Sequence, residues 1–114
     1  MPATILVADD ESPIVEIVAA ILEDEGRTVM RAYDGAQALN IIQRGGIDLL
    51  ITDNMMPHLS GVELIDYLHD HPDVAVPVIL MSAVTPVQMP PYTMFLPKPF
   101  DIDRLASLVA ELVD

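Results

Sequence analysis

Ile47–Pro57, read IDLLITDNMMP, decides how the rest of the chain is interpreted. Its centre, Leu49-Leu50-Ile51-Thr52, is a short apolar run with β-branched residues at its end. Such a run, bounded by turn residues, is too short for a helix and reads as a strand buried on both faces. It stops at Asp53, which is followed by Asn54, two methionines and Pro57. Open α/β sheets put their ligands at the carboxyl ends of central strands, where Asp53 would stand. An aspartate there can also simply close a turn. The neighbouring segments decide between the two readings.

Working outward, the apolar pattern alternates between strands and helices. Thr4–Ala8 reads as a strand running into Asp9-Asp10-Glu11. From Pro13 to Glu25, Ile14, Ile17, Val18, Ile21 and Leu22 recur at helical spacing, with Glu16 and Glu23 facing out. Ser12 is read as the N-cap, Pro13 suits the first helical position and Gly26 stops the helix. Arg27–Ala32 is a second strand. Asp34-Gly35 turns into a helix carrying Ala38, Leu39 and Ile42, ended by Gly45-Gly46. Beyond Pro57, Ser60 and Glu63 form a capping box for a helix with Leu64, Ile65 and Leu68 inward, ended by His71-Pro72. Val78–Met81 is a fourth strand, with Pro77 tolerated at its start. Thr93–Leu96 is a short fifth, and Asp101 opens a last helix with Leu105, Leu108, Val109 and Leu112 on one stripe.

This alternation argues for a doubly wound, five-stranded parallel sheet covered by helices on both faces. One interval breaks the rhythm. Ala83–Tyr92 contains Pro86, Pro90 and Pro91, and a proline inside a helix costs about 3 kcal/mol, so the fourth helix is expected to be shortened or missing.

Composition narrows the function. At 114 residues the chain, 1–114, is expected to be one domain, and 52% hydrophobic residues exclude a disordered chain. Eighteen acidic against five basic residues give a formal charge of −13, which repels nucleic acid and anionic membrane. No apolar run approaches the roughly 20 residues of a membrane span, and the N-terminus does not read as a signal peptide. Cysteine is absent, so disulfide and thiolate chemistry are excluded. A cytoplasmic location is expected.

In a parallel sheet the carboxyl ends of all strands share one edge. Asp9 and Asp10 follow the first strand, Asp53 ends the third, Ser82 ends the fourth and Lys98 follows the fifth. Three carboxylates brought together repel unless something compensates, and a hard divalent cation such as Mg²⁺ takes oxygen ligands of this kind. A carboxylate beside such a metal can act as a nucleophile toward a phosphoryl group, with metal and lysine stabilising the equatorial oxygens. Ser82 could donate to a phosphate oxygen present only after transfer.

With ILVADDE, ITDNMMP, LMSAV and LPKPF in this order, the chain resembles the receiver domain of two-component response regulators along nearly its whole length. The resemblance implies a flavodoxin-like strand order 2-1-3-4-5. It implies a phosphoacceptor at Asp53, Mg²⁺ held by Asp9, Asp10, Asp53 and the backbone carbonyl of Met55, and roles for Ser82 and Lys98 in phosphoryl transfer. It also implies switch residues at Ser82 and Phe95, and a cis peptide between Lys98 and Pro99. The implied partners are a histidine kinase or histidine phosphotransfer protein, and a downstream protein, with self-association on phosphorylation as one expected response. Such a domain is not an enzyme, since it assists only its own phosphorylation and dephosphorylation. Three departures stand out. The interval from Ser82 to Lys98 is short, Phe95 replaces the usual tyrosine, and Met55 stands where many receivers carry a polar side chain.

Other readings are weaker. A small Mg²⁺-dependent aspartyl-phosphate phosphatase would use the same chemistry, but a second acid two residues after Asp53 and a cap domain are missing. An inert receiver-like interaction module does not need the intact acidic set, and a flavodoxin relative would need a hydroxyl-rich phosphate loop and a flanking tryptophan. His58, His69 and His71 read as surface residues. No GxxxxGK[ST] or GxGxxG pattern supports nucleotide binding.

Overall fold

The computed structural model describes residues 3–84, 89–90 and 92–114. Among them, β1 (Thr4–Ala8), β2 (Thr28–Ala32), β3 (Leu49–Asp53), β4 (Val78–Ser82) and β5 (Thr93–Pro97) form one sheet in the order β2-β1-β3-β4-β5. All four pairings are parallel. The helices are α1 (Ser12–Asp24), α2 (Gly35–Arg44), α3 (Gly61–Asp70) and α4 (Ile102–Val113), with a single 3-10 turn at Pro72–Val74 that the sequence reading did not anticipate. No helix among the described residues separates β4 from β5. Pro86 and Pro91 of that connection lie outside the described residues.

β3 and β4 are buried at every position, as continuous apolar runs require in a sheet covered on both sides. Alternate strand residues feed two cores. One packs Ile5, Val7, Ile51, Ile79 and Leu96 against α1 and α4, and the other packs Leu6, Leu50 and Leu80 against α2 and α3. The local signals explain the helix ends. Asp34 Oδ1 accepts from the Gln37 N–H at 2.7 Å. The Ser60–Glu63 capping box is complete in both directions, and Asp101 accepts from Asp103 and Arg104. Gly26 takes φ +85°, the left-handed conformation that closes α1 without a Cβ penalty.

Two local expectations need correction. The N-cap of α1 is Glu11, not Ser12, and no side chain caps it. Asp9 Oδ1 accepts the Glu11 N–H at 3.0 Å, which turns the chain into the helix one residue early. Ile17 is 49% exposed, so the inward stripe is Val15, Val18, Ala19 and Leu22. Val15, Val18 and Leu22 enter the core between α1 and the sheet, and this choice of face turns Ile17 outward.

Candidate functional site

The register of the strands builds the site. Ala8 pairs with Thr52, so Asp9 and Asp53 emerge side by side at the carboxyl edge of β1 and β3. Ser82 pairs with Pro97, and the Lys98 N–H donates to the Ser82 carbonyl at 2.9 Å, which carries Lys98 to the same edge. The Lys98-Pro99 peptide bond is cis.

At the centre, Lys98 Nζ lies 2.6 Å from Asp9 Oδ2, 3.2 Å from Asp53 Oδ1 and 3.7 Å from Glu11 Oε1. Asp9 is fully buried and Asp53 is 6% exposed, whereas Asp10 and Glu11 face solvent. Burial pushes the Asp9 carboxyl above its ordinary value, against hydrogen bonds from Lys98 and the Glu11 N–H, and the nearby Asp53 charge adds to the rise. Burial likewise raises Asp53 against the hydrogen bond and charge of Lys98. For Lys98, burial works to neutralise the ammonium, but Asp9 and Asp53 outweigh it and its pKa is raised. The pocket therefore carries more negative charge than one lysine offsets.

Carboxylate oxygens of Asp9, Asp10 and Asp53 lie within 4.8 Å of one another. An all-oxygen set of this size, partly open to water, fits Mg²⁺, which keeps several waters and uses one or two carboxylates. Both Asp9 oxygens are already engaged, by the Glu11 N–H and by Lys98. Asp10, exposed, and Asp53 are the better direct ligands.

The remaining expected residues surround this centre. Ser82 is 6% exposed, and its Oγ accepts the Val84 N–H at 3.1 Å. A hydroxyl that accepts can still donate. Phe95 is half-buried beside Leu80 in the β4–β5 register. Met55 is 75% exposed at the mouth. His58, at φ +70°, is exposed in the same loop, while His69 and His71 lie at the far end of α3, so the three histidines do not converge.

Sequence reasoning missed Gly61. A Cβ there would lie 2.5 Å from the Asp53 carbonyl oxygen and 3.0 Å from Leu80 Cδ1. The Gly61 N–H donates to the Asn54 carbonyl, and Asn54 Oδ1 accepts the Val62 N–H. The start of α3 is thus clamped onto the backbone of Asp53 and Asn54. The signal was the glycine at the first helical position after Ser60.

The family profile of the response regulator receiver domain matches residues 5–110. The chain belongs to that family and is a receiver domain of the response regulators that serve phosphorylation-dependent signalling. Among curated relatives, the response regulator GtcR of Aneurinibacillus migulanus is 46% identical over 83 residues, 73% of this chain and 34% of GtcR. The nitrogen assimilation regulatory protein NtrX of Azorhizobium caulinodans is 35% identical over 124 aligned positions, covering all of this chain and 27% of NtrX. The chain thus spans about a third of the length of such relatives. Among solved structures, the receiver domain of the Francisella response regulator 1452 superposes with a TM-score of 0.87 at 32% identity, covering 97% of this chain and 96% of that one. The receiver domain from the hybrid histidine kinase CckA gives 0.84 at 34% identity, covering 98% and 100%. No helix among the described residues is long and apolar enough to cross a membrane.

Proposed function

We propose that Asp53 accepts a phosphoryl group from a phosphohistidine on a histidine kinase or histidine phosphotransfer protein in the cytoplasm. The observation that carries this reading is the Asp9–Lys98–Asp53 contact. A buried carboxylate at the end of the central strand has the chain's one lysine 3.2 Å away. An Asp53 oxygen attacks phosphorus in line, a P–O bond forms, the P–N bond breaks, and the leaving imidazole retains a proton. Mg²⁺, when bound, neutralises charge on the transferring oxygens. Asp10, Asp53 and the Met55 carbonyl would hold it, with Asp9 fixed behind them by Lys98 and the Glu11 N–H. Lys98 orients Asp53 before transfer and pairs with the phosphate after it, a charge-assisted bond that is among the strong ones. Ser82 then donates to a phosphate oxygen, and Phe95 in the neighbouring strand responds. The resulting change would control a downstream protein or drive self-association.

Intact mass after incubation with acetyl phosphate and Mg²⁺ tests the assignment. One phosphoryl group should add to the native chain and none to Asp53→Asn. Equal addition to both would refute it.

A further inference from the structure

Among the described residues four polar side chains are buried in the core: Asp9, Thr52, Asp53 and Ser82. Three of them already belong to the site. Thr52 does not, and its place on β3 explains why. Side chains alternate along a strand, so Asp53 falls on the α1 and α4 face with Ile51, whereas Thr52 falls on the α2 and α3 face with Leu50. It stands behind the phosphoacceptor, on the other side of the sheet.

A hydroxyl in such a place is unfavourable unless it is bonded. The residues opposite Thr52 in the register are Ala8 and Leu80, whose side chains accept nothing. Thr52 Oγ1 lies 2.8 Å from the Asp53 carbonyl oxygen and 3.9 Å from Met56 Sδ. The hydroxyl has one proton to give, and a thioether is a weak acceptor, so the proton goes to the carbonyl. Gly61 packs against the same oxygen, but its N–H donates to the Asn54 carbonyl at 3.0 Å.

The peptide unit that Thr52 grips has a second end. The bond between Asp53 and Asn54 is trans, so its C=O and N–H point in opposite directions within one rigid plane. That N–H hydrogen-bonds to the Asp53 carboxyl. Thr52 therefore holds the carbonyl on the α3 side of the sheet while the N–H at the other end of the plane reaches the carboxyl. A carbonyl that accepts a hydrogen bond also polarises its own amide, which makes the N–H a better donor. Beyond this plane, Asn54 is tied separately to the start of α3, where its Oδ1 accepts the Val62 N–H at 3.1 Å.

We propose that Thr52 is a positioning residue for phosphoryl transfer. Its hydroxyl holds the Asp53–Asn54 peptide so that the Asn54 N–H fixes the Asp53 carboxylate in its attacking geometry. The role rests on the reading of Asp53 as the phosphoacceptor, and adds to it a residue that acts only through the backbone.

Thr52→Val removes the hydroxyl and keeps the branched shape, whereas Thr52→Ser keeps the hydroxyl. In the metal-free, ¹⁵N-labelled chain, Thr52→Val should move the Asn54 amide proton upfield and speed its exchange with solvent, and Thr52→Ser should leave both near native. At saturating acetyl phosphate and Mg²⁺, intact mass should show Asp53 labelled about tenfold more slowly in Thr52→Val and within about twofold of native in Thr52→Ser. The acetyl phosphate concentration that gives half the maximal rate should be unchanged in both. A purely structural role would lower the melting temperature without slowing the folded chain at saturation. If valine unfolds the chain, Thr52→Ala removes the hydroxyl without its bulk and repeats both measurements. A native rate in the valine or alanine variant, a serine variant equally slow, or slow labelling with the Asn54 amide unmoved would each overturn the role. No labelling of the native chain would overturn the phosphoacceptor reading itself, and this role with it.

Discussion

Asp53 and Asp114 sit at opposite ends of the molecule, each beside a cation, and their carboxyl groups are perturbed in opposite directions. At the carboxyl edge Asp53 is buried, shares Lys98 with buried Asp9, and burial raises its pKa. At the amino edge Asp114 is exposed and takes two hydrogen bonds of 2.9 Å from Arg27, which lower its pKa. The number of ionic contacts does not separate the two ends; desolvation does. The buried cluster is kept at a cost that function must justify, whereas the exposed clasp is a local tie between α4 and the strand β2 that follows Arg27.

The largest effect expected from breaking this contrast is at Lys98. Lys98→Ala should leave Mg²⁺ binding largely intact, because Asp10 and Asp53 carry the more available oxygens. It should abolish the amide shifts around Ser82 and Phe95 that beryllofluoride induces in the native chain. Native-like shifts in the variant would remove Lys98 from the coupling. Next comes Gly61→Ala. Alanine is the better helix former, yet its Cβ would meet the Asp53 carbonyl at 2.5 Å, where backbone must move. The expected loss is roughly 1–3 kcal/mol by urea unfolding, with acetyl phosphate labelling of Asp53 slowed as its backbone shifts. A stability at or above that of the native chain would show that the α3 start yields freely.

Much of the carboxyl edge was legible in the sequence, because polar residues that end apolar strands can only gather there once the sheet is parallel. Asp9, Asp53, Ser82 and Lys98 announce themselves as interruptions in such runs, and the Ser60–Glu63 box marks α3 by local chemistry alone. Gly61 shows in the sequence as a glycine at the first helical position, but its need for no side chain comes from Asp53 and Leu80, neighbours only in three dimensions. Ile17 was misplaced for a related reason. α1 is apolar around most of its circumference, so spacing alone does not single out the face that Val15, Val18 and Leu22 turn to the core. The amino edge was hardest to foresee. Asp48 Oδ2 accepts the Thr4 N–H at 2.8 Å and Asp114 reaches Arg27, contacts between residues far apart in the chain that no local pattern marks.

A smaller effect is expected at Asp53 itself. Its folded carboxyl has a pKa above the ordinary value of 3.8, so the folded chain holds this proton more tightly than the unfolded one. Stability contributed by this group therefore falls as pH rises from about 3.8 through the raised folded value. Asp53→Asn removes the buried charge while Lys98 keeps Asp9. At pH 7 without metal the variant should melt a few degrees higher, roughly 1 kcal/mol, and the gain should vanish below the unfolded value. Mg²⁺ should stabilise the native chain and leave the variant nearly unmoved. A variant that melts lower at pH 7 would mean that the Lys98–Asp53 contact outweighs burial.

The smallest effect, and the sharpest control, is Asp114→Asn. Hydrogen bonds from Arg27 hold the Asp114 carboxyl below 3.8, so its contribution is fully present above that value and is lost as pH falls through the lowered one. That is the reverse of Asp53. The ion pair is open to water on the Asp114 side, and Glu25 remains 3.6 Å from Arg27 Nε when Asp114 is neutralised. Exposed pairs of this kind contribute little and are screened at high salt, where the Debye length falls to about 3 Å at 1 M. The melting temperature of Asp114→Asn should therefore lie slightly below that of the native chain at pH 7 in low salt. It should merge with it in high salt, and acid should erase the difference. A large, salt-insensitive drop would show that the clasp is desolvated after all. Exposure to water would then no longer separate the two ends of the sheet.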